Sequence, residues 1–567
     1  MSRLAAGEVA DDRAGVLYVG GSIITMDPRR PGAQAVATRA GRIVAVGSEA
    51  DCRRSIGMSA TPGNDTNTGD APGAPRVVDL GSRALLPGFH DVHLHPLPMA
   101  FYEHHLDLTP CVSVKDVLDA IGDRVRRAGP GEWVMGVQID HEKLDEKRLP
   151  TRQELDSLSE DVPIVLFRRD GHTAMGSSAA LRGAQITEQT PDPEGGAFGR
   201  ESDGSLSGLC FESAAQALIG AVPVPSIDAL RDATRRVFER LVANGITSAG
   251  VVLQTDSEGP AGESGALETI AMQMFLDEVP IAINAILAGA DIDKALALRD
   301  SQLHDPASAR RVEGIKIYLD GTLGARTARM HQPYSDDDSQ SGMFTIARDE
   351  CARRMEEAHL AGLQICVHAI GDAANDSALD LFAELKARHP DDAPTNTKHR
   401  IEHASVLSRS AVERFAELGV VAAVQPLFIR SERQWLPLRL GPDRVKWVYP
   451  FRSLRAAGVT VAGASDAPIE DTSVLAAIHT CVTRNGFETQ ECIDATEALR
   501  LYTSSAADAS LTADEVGTIT EGKRADLVLL TRDPTAAPAD HLLSIEVDLT
   551  VSAGREVYAR SAAQLGS

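Results

Sequence analysis

Two histidines separated by one residue follow a short apolar run near the start of the chain. His93 and His95 lie in the sequence LPGFHDVHLHP. If this run is a β-strand, the alternation of side chains points both imidazoles to the same side, about 6–7 Å apart along the strand. Imidazole nitrogens are suitable ligands for zinc, iron and nickel. Histidine pairs are common on protein surfaces, so the pair indicates a metal site only together with further residues of this kind.

Further residues of the metal-binding type follow other apolar runs. They are Lys316 in GIKIYLDG, His368 in CVHAIGDAAN, His403 in RIEHAS and Asp466 in GASDAP. Each has an ordinary structural alternative: a hydrogen-bonded core histidine, a lysine paired with Asp320, or an aspartate that begins a turn. Six such residues at the ends of five strands favour one site over six independent structural roles.

These residue types define a particular chemistry. A neutral histidine binds a divalent cation, which lowers the pKa of a coordinated water to about 7. A second ion about 3.5–4 Å away requires an anionic bridge, which a lysine supplies after it reacts with CO₂ to form a carbamate. Asp466 is then placed to accept the proton of the attacking water and to pass it to the leaving group. The residue set predicts hydrolysis at a polarised carbonyl group.

Such a site requires strands whose carboxyl ends meet. Eight strand-like runs span residues 84–92, 245–252, 279–287, 312–319, 363–370, 399–405, 419–426 and 459–467. Amphipathic helical stretches separate most of them. This alternation predicts an α/β protein with a closed (β/α)₈ barrel, in which active-site residues lie at the carboxyl ends of the strands. An open doubly wound sheet is the alternative, but no G-x-G-x-x-G follows the first strand.

The chain divides into a barrel and a small β domain. Residues 13–86 and 506–567 contain short strand-like segments that we expect to join into one β domain. The barrel then covers residues 87–505. It carries an insertion at about residues 100–240, with its own strand PIVLF and several helices.

Composition limits the partners of the protein. The 567 residues are 43% hydrophobic and 24% charged, as in globular proteins, and the net charge is −25. This charge argues against nucleic acid or an anionic membrane as a partner. The seven scattered cysteines favour free thiols in a reducing compartment. Because no 18-residue apolar run and no signal-peptide core are present, we expect a cytoplasmic protein.

The motifs resemble those of the amidohydrolase superfamily, and within it the branch of YtcJ-like proteins and N-substituted formamide deformylases. The resemblance covers nearly the whole chain and includes LLPGFHDVHLHP, KIYLDGTLGARTA, VHAIGDAAN, RIEHA, ASDAP and EGKRADLVLL in that order. It implies a distorted TIM barrel beside a small β-sandwich made from both chain ends. It also implies two Zn²⁺ ions, with Lys316 as a carboxylated bridge, Asp466 as a metal-contacting general acid/base, and further ligands at His93, His95, His368 and His403.

The same resemblance suggests residues that face the substrate. His172 in DGHTAMGSS would reach into the site from the insertion and take part in catalysis, unless it is a loop residue fixed by backbone. Asp320 and Arg326 would bind or orient the substrate, or else fix their loop. Glu212 in FESAA would do the same or cap a helix. His90 departs from the family pattern, in which a small, apolar or amide residue usually stands there.

These observations together predict a metal-dependent hydrolase of a C–N bond in an amide, N-formyl or cyclic-amide substrate. A deaminase or a carboxylic-ester hydrolase on the same scaffold is the alternative, although Lys316 argues against the mononuclear deaminase type. A regulatory protein without a metal is the third reading, and the complete ligand set counts against it. We expect a small-molecule substrate and a homodimer.

Overall fold

Eight parallel strands form the central sheet of the computed structural model, which describes residues 15–61, 74–169, 171, 173–193, 196–256, 262–390 and 398–560. In chain order, β1 to β8 are Phe89–Leu94, Ile246–Gln254, Ala282–Ala288, Arg310–Tyr318, Gln364–Ala369, Arg400–His403, Val421–Val424 and Val461–Gly463. They correspond one by one to the eight predicted runs. Because helices cover the outside and side chains fill the inside, most of these strand residues are buried.

The sheet curls into a nearly closed barrel. Each strand pairs with its neighbours in chain order, so that β1 and β8 are the two ends of the sheet. The backbone N–H of His95 donates to the carbonyl of Ala467 (2.8 Å), and that of Asp466 donates to the carbonyl of His93 (2.9 Å). These two hydrogen bonds join the first and last strands at their carboxyl ends. The predicted α/β barrel is thus confirmed.

Helices surround the barrel where the sequence predicts them. Helix Arg409–Leu418 is an example: the side chain of Ser408 accepts from the backbone N–H of Ala411, and Gly419 ends the helix with φ +70°. Its buried face packs on the sheet. The other helices of residues 96–104 and 227–509 are Pro96–His104, Ile227–Ala243, Glu268–Met274, Ile292–Leu298, Arg348–Leu360, Asp372–Arg388, Pro426–Glu432, Leu436–Arg444, Phe451–Ala456, Val474–Thr483, Ala495–Leu501 and Ser504–Ala509.

Segments of the two chain ends form two further sheets, the second of which contains strands from both ends. One sheet contains Arg42–Gly47, Ala35–Arg39, Val16–Val19 and Arg76–Asp79, and helix Glu49–Ser55 packs on it. The other contains Ser22–Ile23, Ala84–Pro87, Leu527–Leu530, Val547–Ser552 and Arg555–Ala559. Tyr18 and Val36 from the first sheet share one apolar cluster with Leu85, Leu527 and Leu549 from the second. This is the packing expected of the predicted β-sandwich.

The insertion is richer in strands than the sequence suggests. Its described part holds a six-stranded sheet in the order Gly196–Arg200, Leu206–Glu212, Thr173–Gly176, Ile164–Arg168, Val134–Ile139 and Leu106–Asp107. Only Ile164–Arg168, which overlaps the predicted run PIVLF at residues 163–167, is predicted, because the others are short or interrupted by glycine and show no clear alternation. Helices Val114–Val125, Arg152–Asp156, Ser178–Gly183 and Ser213–Ile219 accompany this sheet.

Candidate metal centre

The six predicted site residues lie at the carboxyl end of the barrel. His93 is in β1 and His95 follows it, Lys316 is in β4, and His368 is in β5; His403 ends β6, and Asp466 follows β8. Five strands therefore deliver them to one end of one sheet. Because the edge strands β1 and β8 lie next to each other, His93 and His95 lie beside Asp466.

Three of these residues form a compact cluster. Nε2 of His93 lies 3.3 Å from Oδ1 of Asp466, and Nε2 of His95 lies 3.2 Å from the same oxygen. One ligand atom from each residue lies within 4.8 Å of the other two. Two imidazoles and a carboxylate at these separations match the donor set of a zinc-like divalent ion. The three residues fit the metal that their types predict.

The remaining three residues surround this cluster. Nζ of Lys316 lies 3.3 Å from Nε2 of His93. Nδ1 of His403 lies 4.0 Å from Oδ2 of Asp466 and 3.0 Å from the side-chain oxygen of Gln425. The ring of His368 packs 4.5 Å from that of His403, but its Nε2 faces the carbonyl of Gly321 at 3.1 Å.

Burial lowers the pKa of four basic groups of this centre. It lowers the pKa of His93 and His368 well below the usual range, and that of His403 to about 3. It also lowers the pKa of Lys316. Burial alone would raise the pKa of Asp466, but the hydrogen bond with His95 holds it below its usual value. Neutral nitrogens beside an ionised carboxylate are what a cation requires.

Glu402 is a buried residue of the centre that sequence reasoning missed. Its Oε2 lies 2.5 Å from Nδ1 of His93, and its Oε1 accepts from Nε of Arg400 at 2.5 Å. In a regular strand, neighbouring side chains point to opposite faces, so Glu402 and His403 would not both face the centre. His403 has φ +75°, however, so the regular strand ends at this residue. A glutamate directly before a predicted ligand was the signal available in RIEHA.

Asp91 is a second missed residue, and it lies inside the first motif. Its carboxylate accepts from the backbone N–H of His93 (3.1 Å) and from that of Ser465 (3.1 Å). Burial raises the pKa of Asp91 to about 7. Asp91 therefore links the backbone of His93 to that of Ser465, the residue directly before Asp466.

The predicted substrate residues occupy mixed positions. Asp320 is buried and accepts three backbone N–H groups, from Arg329, Ile370 and Gly371, which favours the loop-fixing alternative. Arg326 forms a two-pronged pair with Asp336, with Nη2 to Oδ2 at 2.9 Å. His172 lies outside the described residues. Glu212 ends the strand Leu206–Glu212, and its side chain is likewise outside the description.

The insertion reaches the loop that follows Asp466. Nε of Arg169 donates to the carbonyl of Ile469 (3.0 Å), and its Nη2 pairs with Glu470. The side-chain amide of Gln138 donates to the carbonyl of Pro468. Gln138 itself has φ +63°, an unusual value for a residue other than glycine. The insertion is thereby attached to the edge of the candidate metal centre.

Two further expectations from the sequence concern the cysteines and membrane-spanning helices. All seven cysteines lie in described segments and are free. Over those same segments, no helix is both long and apolar enough to cross a bilayer.

Comparison with known proteins defines the class of this barrel. A family model for the amidohydrolase family matches residues 76–558, and the chain belongs to that family. YtcJ of Bacillus subtilis (strain 168) is 30% identical over 556 residues, which cover 96% of this chain and 99% of YtcJ. The N-substituted formamide deformylase of Arthrobacter pascens is 27% identical, covering 96% of this chain and 98% of its own.

A solved structure supports the same class. The crystal structure of an uncharacterized metal-dependent hydrolase from Pyrococcus horikoshii OT3 superposes with a TM-score of 0.71 at 25% identity, over 93% of this chain and 99% of its own. The family, this neighbour and the His-His-Asp cluster together support hydrolysis that depends on a divalent metal.

Proposed function

We propose that the protein hydrolyses a C–N bond in an amide, N-formyl or cyclic-amide substrate. The observation that carries this proposal is the cluster of His93, His95 and Asp466 at the carboxyl end of the barrel. The N-substituted formamide deformylase among the relatives favours a C–N bond over other hydrolysed bonds. The free cysteines support a reducing compartment and thus the cytoplasm.

The ligand roles follow from the positions of the donor atoms. His93, His95 and Asp466 would hold one divalent ion. Lys316, once carboxylated, would bridge to a second ion held with His403 and His368, which requires the ring of His368 to turn from the carbonyl of Gly321. When bound, the metal lowers the pKa of a water molecule and polarises the carbonyl group that is attacked. We take zinc as the first candidate because the donor set is rich in imidazole.

Asp466 would move the proton of the reaction. Its carboxylate is ionised and 10% exposed, so it can accept a proton from the attacking water. The proton then passes from Asp466 to the nitrogen of the leaving amine, which allows the C–N bond to break. Phe428, stacked 6.2 Å from the ring of His403, would give the site an apolar wall that excludes bulk water. His172 remains a predicted catalytic contributor from the insertion.

The alternative functions on this scaffold are a deaminase and a carboxylic-ester hydrolase. The position of Lys316 disfavours the mononuclear deaminase. Nζ of Lys316, the atom on which a bridging carbamate would form, lies 3.3 Å from Nε2 of the proposed ligand His93. An ester substrate would use the same groups, so only a substrate panel separates it from an amide.

The first experiment is elemental analysis of the full chain, purified without chelator and with added bicarbonate. We expect about two equivalents of a divalent metal, and about one in Lys316→Ala. Lys386→Ala, which changes an exposed lysine on the helix Asp372–Arg388, is the matched control and should keep both. One equivalent in the wild type would favour the deaminase. No metal after reconstitution would refute the hydrolase.

A substrate panel completes the test. N-substituted formamides, simple amides and cyclic amides should be hydrolysed by the metal-loaded protein, and chelation should abolish the activity. Turnover of an ester or release of ammonia from an aromatic amine, without turnover of any amide, would overturn the C–N assignment in favour of one alternative.

A further inference from the structure

A buried ion pair lies behind His93, on the side away from Asp466. The side chains of His93 and Glu402 are fully enclosed, and that of Arg400 is 1% exposed. Oε1 of Glu402 accepts from Nε of Arg400, and Oε2 contacts Nδ1 of His93, each at 2.5 Å. Nη2 of Arg400 also donates to the carbonyl of Val92 at 3.0 Å, directly before the histidine.

The contact with Glu402 determines which nitrogen of His93 carries the proton. A carboxylate only accepts hydrogen bonds, so Nδ1 of His93 must be the N–H donor in this contact. In the neutral ring Nε2 then keeps its lone pair. Nε2 is also the atom that lies 3.3 Å from Asp466 and 3.3 Å from Nζ of Lys316. The lone pair is therefore presented where the proposed metal would sit.

We propose that Arg400 and Glu402 are a positioning pair that fixes His93 in the tautomer able to bind metal. This inference rests on the proposed metal-dependent function and assigns a role to two residues outside the ligand set. Groups that accept from a metal-binding histidine orient the ring and raise its basicity. Glu402 is held for this task because Arg400 occupies its other oxygen and is itself anchored on the strand of His93.

The role of Arg400 gives the pair a specific chemical signature. A guanidinium has only donors, so Nε of Arg400 can pair with residue 402 only if that residue offers an acceptor. In Glu402→Gln the amide has one oxygen, and Arg400 will take it. The amide NH₂ then faces Nδ1 of His93, which must become an acceptor. The proton moves to Nε2, and the lone pair that would bind metal is lost.

His403 provides a contrast within the same centre. Its Nδ1 contacts the neutral side-chain oxygen of Gln425 at 3.0 Å, closer than the carboxylate oxygen of Asp466 at 4.0 Å. An amide oxygen is thus sufficient to accept from a histidine of this site. A glutamine at position 402 should fail because of Arg400, and not because an amide is unsuitable.

The test compares the wild type, Glu402→Gln and the double variant Arg400→Met/Glu402→Gln. In the double variant the guanidinium is absent, so the amide introduced at position 402 is free to turn its oxygen to Nδ1 of His93. Zinc alone is titrated against a chelator of known affinity, with no substrate present. We expect the single variant to lose about 100-fold in zinc affinity, the upper end for such partners, and the double variant to regain most of it.

Nitrogen-15 NMR of histidine-labelled, metal-free protein provides the second readout. The His93 signals, assigned by their absence in His93→Asn, should show a protonated Nδ1 in the wild type and double variant and a bare Nδ1 in Glu402→Gln. A pair that only maintains packing predicts that the double variant binds zinc no better than the single one. That result, or equal zinc affinity in the wild type and Glu402→Gln, overturns this inference alone. Absence of zinc binding by the wild type overturns the proposed function as well.

Discussion

Asp320 offers the sharpest distinction between a substrate-binding and a loop-fixing role. It follows β4 and is 2% exposed. Oδ1 accepts from the backbone N–H of Ile370 (3.0 Å), and Oδ2 accepts from those of Gly371 and Arg329 (2.9 Å each). The two loops are in close contact here, because a Cβ at Gly371 would lie 1.9 Å from the carbonyl oxygen of Arg329. Oδ1 also lies 3.4 Å from Nε2 of His368, so Asp320 contacts one predicted ligand in addition to the three backbone N–H groups.

The free-energy cost of Asp320→Asn follows from the number of hydrogen bonds that each carboxylate oxygen accepts. Asparagine has one acceptor oxygen in place of two, so either Ile370 or the pair of Gly371 and Arg329 faces an amide NH₂. Each buried N–H that loses its acceptor costs about 1–3 kcal/mol. If the two loops open locally, the loss of one acceptor raises the equilibrium constant for that opening by about 5- to 150-fold.

Hydrogen–deuterium exchange measured by mass spectrometry gives the readout. Peptides that cover residues 319–331 and 369–373 should exchange faster in Asp320→Asn by that factor, and peptides elsewhere should not. Asp338→Asn, in an exposed part of the same loop, is the control and should exchange like the wild type. A raised KM for the best substrate with unchanged exchange would refute the loop-fixing argument and restore Asp320 as a substrate ligand.

Two further substitutions test the proton chemistry of the site and of the core. Asp466→Asn should retain metal, because the amide oxygen still faces His93 and His95, but lose about 10²- to 10⁴-fold in kcat; unchanged kcat with full metal content would remove Asp466 from its role. Burial raises the pKa of Glu268 from 4.5 to about 8, so the folded protein holds a proton there that the unfolded chain has released between these values. This group therefore lowers the free energy of unfolding as the pH rises through that window, by on the order of 5 kcal/mol in total. Glu268→Gln should unfold at nearly the wild-type temperature at pH 4.5 and at a higher one at pH 8; an equal difference at both pH values would contradict the assignment.

The barrel could be predicted because its signals are local. Each buried parallel strand is a short apolar run, and each proposed ligand comes at or just after the end of one. The insertion could not be predicted to the same degree. Strands such as Thr173–Gly176 and Leu106–Asp107 have too few residues to show a period, and their pairing depends on neighbours that are distant in sequence.

The sequence predicts which residues lie together at the carboxyl end of the barrel, but not the residues that support them. Histidines after several strands of one barrel together indicate a metal through their residue type and position. Glu402 and Asp91 do not, because a buried carboxylate is recognisable only once its partners are known. Glu402 finds Arg400 two residues away, but its contact with His93 spans 309 positions of the chain. That contact exists only because the barrel closes.

Closure of the barrel and assembly of the metal centre depend on the same few atoms. The first and last strands meet where the N–H of Asp466 donates to the carbonyl of His93, and the side chains of these two residues approach to 3.3 Å. Asp91 holds the backbone on both sides of this junction through Ser465 and His93. At the junction Asp466 has φ +54°, a conformation that costs free energy for a residue other than glycine. The surrounding contacts must stabilise this conformation, so the fold fixes the relative positions of His93 and Asp466 before any metal or substrate binds.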